Sequence, residues 1–310
     1  MKKTVQRAYV RLLPVWVILC ALGSSRISAQ ELEPGAYSPS PIDFNILVGA
    51  LTFNSGDLAF DPSGPITDAS ANITTAGFGY VRTMGLFGRL ASLGVVLPYV
   101  RGDLEGYYLG EYQKVFRSGQ GDPRMRFAIN LVGGPALTLK EFALAKPKWT
   151  VGVSVTVAAP LGQYDSNKLI NIGSNRWSFK PEIGVSRTVG RWRFEGAAGV
   201  WVFTDNTDFF GGATRSQDPI GSLQFHVIYT FRPRMWIAYD ANYYSGGRTS
   251  FGAGKNEDLQ DNSRMGLTFA MPVNRNQSLK FNYSRGARTS VGARFDSIGV
   301  AWQLIWGPKS

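Results

Sequence analysis

Between Trp149 and Ala159 every second side chain is apolar: Trp149, Val151, Val153, Val155, Val157 and Ala159. The positions between them, Thr150, Gly152, Ser154, Thr156 and Ala158, are small or hydroxylated. Period two belongs to a strand, whose successive side chains leave opposite faces. One face of this strand meets apolar material and the other a polar or crowded space. The pattern recurs in segments of about ten residues, the length that crosses a bilayer as a tilted strand. It predicts an all-β chain folded as a closed antiparallel transmembrane β-barrel of the outer-membrane type.

About twelve strands are predicted, at roughly 43–53, 72–82, 90–101, 122–133, 148–159, 176–187, 192–204, 218–231, 235–245, 261–272, 277–286 and 294–305. The even number suits a bacterial barrel. In the fourth, Met125, Phe127, Ile129 and Leu131 oppose Arg124, Arg126, Ala128 and Asn130. In the eighth, Leu223, Phe225, Val227, Tyr229 and Phe231 oppose Gln224, His226 and Thr230. In the ninth, Ile237, Tyr239 and Tyr243 oppose Asp240 and Asn242, and in the last Ile298 to Trp306 oppose Ser297, Ala301 and Gln303. The first strand, Phe44 to Phe53, is apolar on both parities and its register stays open.

The connectors alternate. Those after strands two, six, eight and ten are short, and those after one, three, five, seven and nine are long: 54–71, 102–121, 160–175, 205–217 and 246–260. Short periplasmic turns and long external loops are the habit of outer-membrane barrels. The connector 134–147 breaks the rule, and its stretch Thr138–Leu144 reads as a short amphipathic helix on the periplasmic side. Segment 102–116 reads as strand extension beyond the membrane. A soft repeat, Gly211-Gly-Ala-Thr-Arg215, Gly246-Gly-Arg-Thr-Ser250 and Gly286-Ala-Arg-Thr-Ser290, falls on one rim.

The N-terminus reads as a processing signal. Lys2, Lys3, Arg7 and Arg11 precede an apolar stretch from Leu12 to Leu22, and Ser28-Ala29 offers a small-residue exit. That order predicts a cleaved secretory signal peptide over 1–29. An irregular lead-in over 30–42 follows, then the barrel over 43–306 and a tail over 307–310. Cleavage removes Cys20, the one cysteine, so the exported chain holds itself without disulfides. About 280 residues remain, within range for one all-β domain. The charge of +11 also falls, because five of 33 basic residues and none of 22 acidic ones lie in the leader, which leaves +6. That bias suits a lipopolysaccharide-facing surface or an anion-tolerant lumen. Export and the lack of a basic cluster speak against nucleic acid.

Enzyme motifs are missing: there is no G-x-S-x-G, no H-E-x-x-H and no cysteine cluster, and Gly252-Ala-Gly-Lys255 is a phosphate-loop fragment followed by Asn256. The chain is read as a non-enzyme without cofactor or metal. Asp205, Asn206 and Asp208 have a spacing too loose for calcium, with no Glu to complete it. His226, the one histidine, sits about 13 Å from Ser222 on the same strand face and is read as a lumen hydrogen-bonding group. Charges on a lipid face cost a few kcal/mol each near the midplane, so they belong inside. Lumen-lining residues are therefore predicted as Arg124, Arg126, Asn130, Lys180, Glu182, Arg193, Glu195, His226, Asp240, Asn242, Arg264 and Lys280. Trp177, Trp192, Trp236, Trp302 and Trp306 are read mainly as interfacial belt. Trp201 and Phe203 face inward by alternation and, with Phe209 and Phe210, form an aromatic entrance.

The stretches Gly119–Leu131 (GQGDPRMRFAINL), Asn175–Gly184 (NRWSFKPEIG), Thr204–Gly212 (TDNTDFFGG) and Pro272–Lys280 (PVNRNQSLK) carry a resemblance. With them the chain, over roughly 43–306, resembles the family of outer-membrane transporters associated with the MetA pathway of phenol degradation. The resemblance implies a transporter-like barrel for aromatic or hydrophobic compounds and carries over no functional residues. The expectation is a monomeric channel in the outer membrane that passes small organic solutes passively, in contact with outer-membrane lipid and lipopolysaccharide. The alternative is a structural or surface-interaction barrel working through its long external loops. An open path favours passage, and a plug favours the alternative.

Overall fold

The computed structural model describes residues 32–59, 66–145, 149–251, 254–255 and 257–308. The predicted signal peptide with Cys20, and Gly252 and Ala253 of the phosphate-loop fragment, lie outside the described residues. The strands are β1 (Asn45–Ala59), β2 (Ile66–Leu86), β3 (Arg89–Tyr108), β4 (Glu111–Gln120), β5 (Arg124–Val132), β6 (Trp149–Ala158), β7 (Ser178–Val189), β8 (Trp192–Phe203), β9 (Asn206–Phe209), β10 (Ala213–Gln217), β11 (Ile220–Arg232), β12 (Met235–Gly246), β13 (Thr249–Phe251), β14 (Gly254–Lys255), β15 (Gln260–Pro272), β16 (Gln277–Arg288) and β17 (Gly292–Trp306). One helix, α1 (Leu139–Leu144), lies between β5 and β6.

Neighbours in sequence pair antiparallel, and β1 pairs with β17, Ile46 opposite Ile305, to close the ring. β4 and β5 share one stave against β3: β4 takes Tyr99–Tyr108 and β5 takes Ala91–Val96. The remaining short strands, β9, β10, β13 and β14, form a separate sheet. Twelve staves thus close an antiparallel barrel, and closure leaves no unpaired edge for the bilayer to meet.

Two predicted loops are largely strand. β1 and β2 stay paired out to Leu58 and Ala69, and β3 and β4 out to Tyr108 and Glu111. Leu109 and Gly110, at φ 53° and 84°, form the two-residue turn, a backbone that suits the twist of a hairpin. The outward residues of that hairpin, Arg101, Asp103 and Glu105, are charged and exposed, so it stands clear of the membrane.

Burial follows the alternation. Met125, Phe127, Leu223, Phe225, Tyr239 and Ile298 are exposed on the outside, while Arg124, Arg126, Gln224, His226, Asp240 and Ser297 are buried inside. The first strand was ambiguous for a physical reason. Ile46 and Val48 point inward into a cluster with Phe44, Val81, Ala301 and Ile305, while Phe53 faces lipid. Leu139 of α1 packs on the same cluster. The α1 helix is held by a capping box, with Glu141 accepting from Thr138 N at 2.9 Å and Thr138 Oγ1 at 2.8 Å. These bonds hold the Glu141 carboxyl below the usual carboxylate range. One belt assignment fails: Trp236 shares the parity of Asp240 and lies inside, packed with Ile228, Ala238 and Ala270.

Candidate functional site

The interior has two unlike walls. On β17, β1, β2 and β3, which are adjacent, every inward position is uncharged, among them Phe295, Ala301, Ile46, Val48, Val81, Val96 and Val100. Opposite them, β5, β7, β8, β11, β12 and β15 bring in Arg124, Arg126, Lys180, Glu182, Arg193, Glu195, His226, Asp240, Asn242 and Arg264, all buried. Asn130 is buried nearer the periplasmic end of β5, and Lys280 is half-buried on the inward parity of β16.

Buried charge persists only where it is paired or hydrogen-bonded. Lys180 Nζ lies 2.7 Å from Glu182 Oε2, and Arg126 Nη2 lies 3.8 Å from Glu182 Oε1. Arg264 donates to Ser284 Oγ (2.8 Å), Ser297 Oγ (3.0 Å) and the Phe295 carbonyl (3.0 Å). His226 Nδ1 is 2.7 Å from Asp240 Oδ1, and Thr268 Oγ1 donates to Asp240 Oδ2 at 2.5 Å. Ser222, the residue a hydrolase would need beside His226, instead reaches the Gly199 carbonyl.

The lead-in is far from idle. Residues 32–41 form a strap inside the barrel, fastened to the charged wall. Gly35 N donates to Glu195 Oε2 (2.6 Å) and Ser38 Oγ to Glu195 Oε1 (3.2 Å), while Arg193 Nη1 donates to Ser38 Oγ. Glu33 N donates to Gln224 Oε1 at 3.3 Å, and the Glu33 carboxylate lies 3.9 Å from Arg126 Nε. The Tyr37 hydroxyl reaches Glu182 Oε1 (2.9 Å) and Ser154 Oγ (3.0 Å), and the Arg126 guanidinium sits 5.1 Å from the Tyr37 ring centre. That ring lies in a slot made by Gly152 and Gly184, which face each other across β6 and β7. A methyl at either glycine would collide with it. The strap leaves the barrel beside β2, where Thr83 Oγ1 donates to the Pro41 carbonyl (2.9 Å) and accepts from Phe44 N (3.0 Å).

The outer mouth is also built over. Asp122 accepts from Gly162 N (2.9 Å), Ser174 N (2.9 Å) and Ser174 Oγ (2.6 Å), which draws loop 160–175 onto the rim. Asn206 Oδ1 accepts from Asn175 Nδ2 and Asp208 N, and Asn206 Nδ2 donates to Tyr164 Oη. The Asn206 side chain thus ties loops together, and among the described residues no three His, Cys, Asp or Glu converge on a cation site. The strands that carry two of the three repeat segments pair here, β10 with β13, Arg215 opposite Phe251 and Gln217 opposite Thr249. Beneath this cap Trp201 is fully buried with Ile220 and Tyr244, and Phe203 packs on them. Cations stand over the rings: Lys180 Nζ is 5.8 Å from Trp201, Arg176 4.3 Å from Phe203 and Arg215 5.5 Å from Phe209. Phe210 is exposed.

Sequence reasoning missed the strap because nothing local marks it. The available signal was a pair of glycines at inward positions of neighbouring strands, which calls for something bulky to fill the gap. The wall has one more feature. A depression of about 800 Å³ on its outer side is lined by Phe127, Val155, Pro181, Ala198, Leu223 and Tyr243 among others. Next to it the β7–β8 pairing lapses between Phe179↔Val202 and Glu182↔Gly199, where Pro181 has no N–H to give.

The fold is shared with a solved outer-membrane channel. The crystal structure of an outer membrane channel from Pseudomonas putida F1 matches with a TM-score of 0.74 at 18% identity, covering 89% of this chain and 100% of that one. The beta domain of the Bordetella autotransporter Brka gives 0.48 at 10% identity, over 85% and 100% of the two chains. The NanC porin gives 0.45 at 11% identity, over 83% and 98%. No curated protein matches the chain in sequence. A family described as "Putative MetA-pathway of phenol degradation" matches residues 53–304, from β1 to β17, and the chain belongs to that family.

Proposed function

We propose that the barrel is a passive outer-membrane channel for small organic solutes, including aromatic and other partly apolar ones, and that the strap is its removable obstruction. The observation that supports this reading is the two-walled interior. A solute with an apolar body and a polar group has a surface for each, and passage then needs only graded weak binding. A plug favours the surface-interaction alternative, and the strap counts towards it unless it leaves the lumen. It is a short segment held by side-chain hydrogen bonds, contacts that water can replace one at a time. No residue is assigned a catalytic role.

Uptake of benzoate and of phenol into liposomes carrying the full chain tests the proposal. Uptake above that of empty liposomes, kept when 205–217 is replaced by a short Gly-Ser linker, supports the channel. Liposomes that stay sealed with both the full chain and a chain lacking 32–41 overturn it and leave the external loops as the working part. The outer depression favours a second route, in which apolar solutes cross the wall sideways beside Pro181. Ala198→Trp, which fills the depression, would then lower phenol uptake while leaving ion conductance unchanged. Equal effects on both would remove that route.

A further inference from the structure

The cationic excess of the chain is not where lipopolysaccharide would use it. The external loop 205–218 holds Asp205, Asp208 and Asp218 against the single Arg215, which is half-buried. The periplasmic end is the reverse. Each of its five connectors carries an outward cation beside an exposed apolar residue. The β2–β3 turn has Arg89 next to Phe87, which is 91% exposed, and the β5–β6 connector has Lys140 with Leu144, 85% exposed. The β7–β8, β11–β12 and β15–β16 turns repeat the pairing with Arg191 and Val189, Arg232 and Phe231, and Arg275 and Val273.

These cations are uncommitted. Among the described residues none of the five has a carboxylate within 4.0 Å. The one described carboxylate in these connectors, Glu141, is turned back onto its own helix cap. The strands carry an aromatic belt at the same level. Trp192 follows Arg191 directly and packs on Tyr229 at 4.8 Å, while Trp149 lies under the Arg187 guanidinium at 4.8 Å. Aromatic rings with adjacent cations mark the headgroup level of a bilayer.

We propose that this rim is a collar that binds the anionic phospholipid headgroups of the periplasmic leaflet. An acidic soluble protein would need its complement gathered on one side. Here the cation and apolar pairs are spread through every connector, which fits a partner that surrounds the barrel. A cation near an anionic leaflet is worth about 1 kcal/mol, or about fivefold in local affinity.

The test uses the full chain in nanodiscs of equal phosphatidylglycerol and phosphatidylcholine, with the lipids retained after detergent release counted by native mass spectrometry. Phosphatidylglycerol should be enriched about fivefold, and 0.5 M salt should reduce the enrichment to below about twofold. Arg89→Gln, Arg191→Gln, Arg232→Gln and Arg275→Gln together should abolish it. Four matched changes at the external end (Arg101→Gln, Lys114→Gln, Arg285→Gln and Arg288→Gln) should leave it intact. Equal retention of both lipids by the natural chain overturns the proposal, as does enrichment that survives the rim changes or the salt. The salt arm does not depend on any variant folding.

Discussion

The two inner walls are built from the same pleated strands and teach different things about what fills a barrel. The wall of β17, β1, β2 and β3 satisfies itself by apolar packing, as in the Phe44, Ile46, Val48, Val81, Ala301 and Ile305 cluster. The wall from β5 to β15 cannot, because each buried charge needs a partner. The wall's own strands supply some of these, such as Lys180 for Glu182 within β7 and His226 of β11 for Asp240 of β12. The strap supplies others: Gly35 and Ser38 for Glu195, Glu33 for Arg126 and Tyr37 for Glu182. The strap therefore completes one wall and bonds to the other only at its exit, where Thr83 of β2 holds the Pro41 carbonyl. Obstruction and charge satisfaction are the same set of contacts.

If that contrast is right, the two walls respond unequally to change. The largest effect should come from Glu195→Ala combined with Arg193→Ala, which removes two of the strap's fasteners together without leaving a lone charge. Losing about 2 kcal/mol of hydrogen bonding raises the fraction of unfastened strap about thirtyfold, read as open probability in planar bilayers. An unchanged open probability would mean that the charged wall does not hold the strap. Next comes Gly184→Val, which fills the slot for the Tyr37 ring; overpacking of about 1 kcal/mol should raise open probability about fivefold. Gly199→Ala, on the inward face of β8, is the control and should do less.

On the opposite wall, Val96→Asp should leave open probability within about twofold, because the strap's one bond to that wall is at Thr83 of β2 and not on β3. It should lower phenol uptake, since a charge now interrupts the apolar track. Smaller still is His226→Gln, which keeps a hydrogen-bonding group beside Asp240. Its cost should stay near 1 kcal/mol in denaturant unfolding, and a loss of all passage would give His226 a role not described above.

The smallest effect lies at the periplasmic helix. Glu141 has a depressed carboxyl, so its share of the cap is present above the usual carboxylate range and is lost as pH falls through the depressed value. The protection factor of the Glu141 amide, relative to the intrinsic exchange rate at each pH, should fall over that acid range and stay level above it. A fall beginning at neutral pH would contradict the capping.

Much of this was legible in the chain. Alternation fixed the twelve staves because lipid on one side and lumen on the other force unlike residues onto the two faces. The Thr138 to Glu141 spacing marked α1. Legibility failed wherever the inside was itself apolar. Ile46 and Val48 hid the register of β1, and Trp236 passed for a belt residue although it packs inside with Ile228. It failed again for the strap, whose partners lie 42 to 191 positions away. The outer ends of β1 to β4 read as loop because above the membrane their outward faces meet water and carry charge, as at Asp103 and Glu105, while the apolar residues turn inward into the Ala71, Phe295 and Leu104 cluster.

The most direct test is single-channel conductance of the full chain against the chain lacking 32–41, in the same bilayer and salt. The account predicts brief, small openings for the first and a steady conductance several times larger for the second. Equal conductance in the two would show that the strap is not what stands in the way.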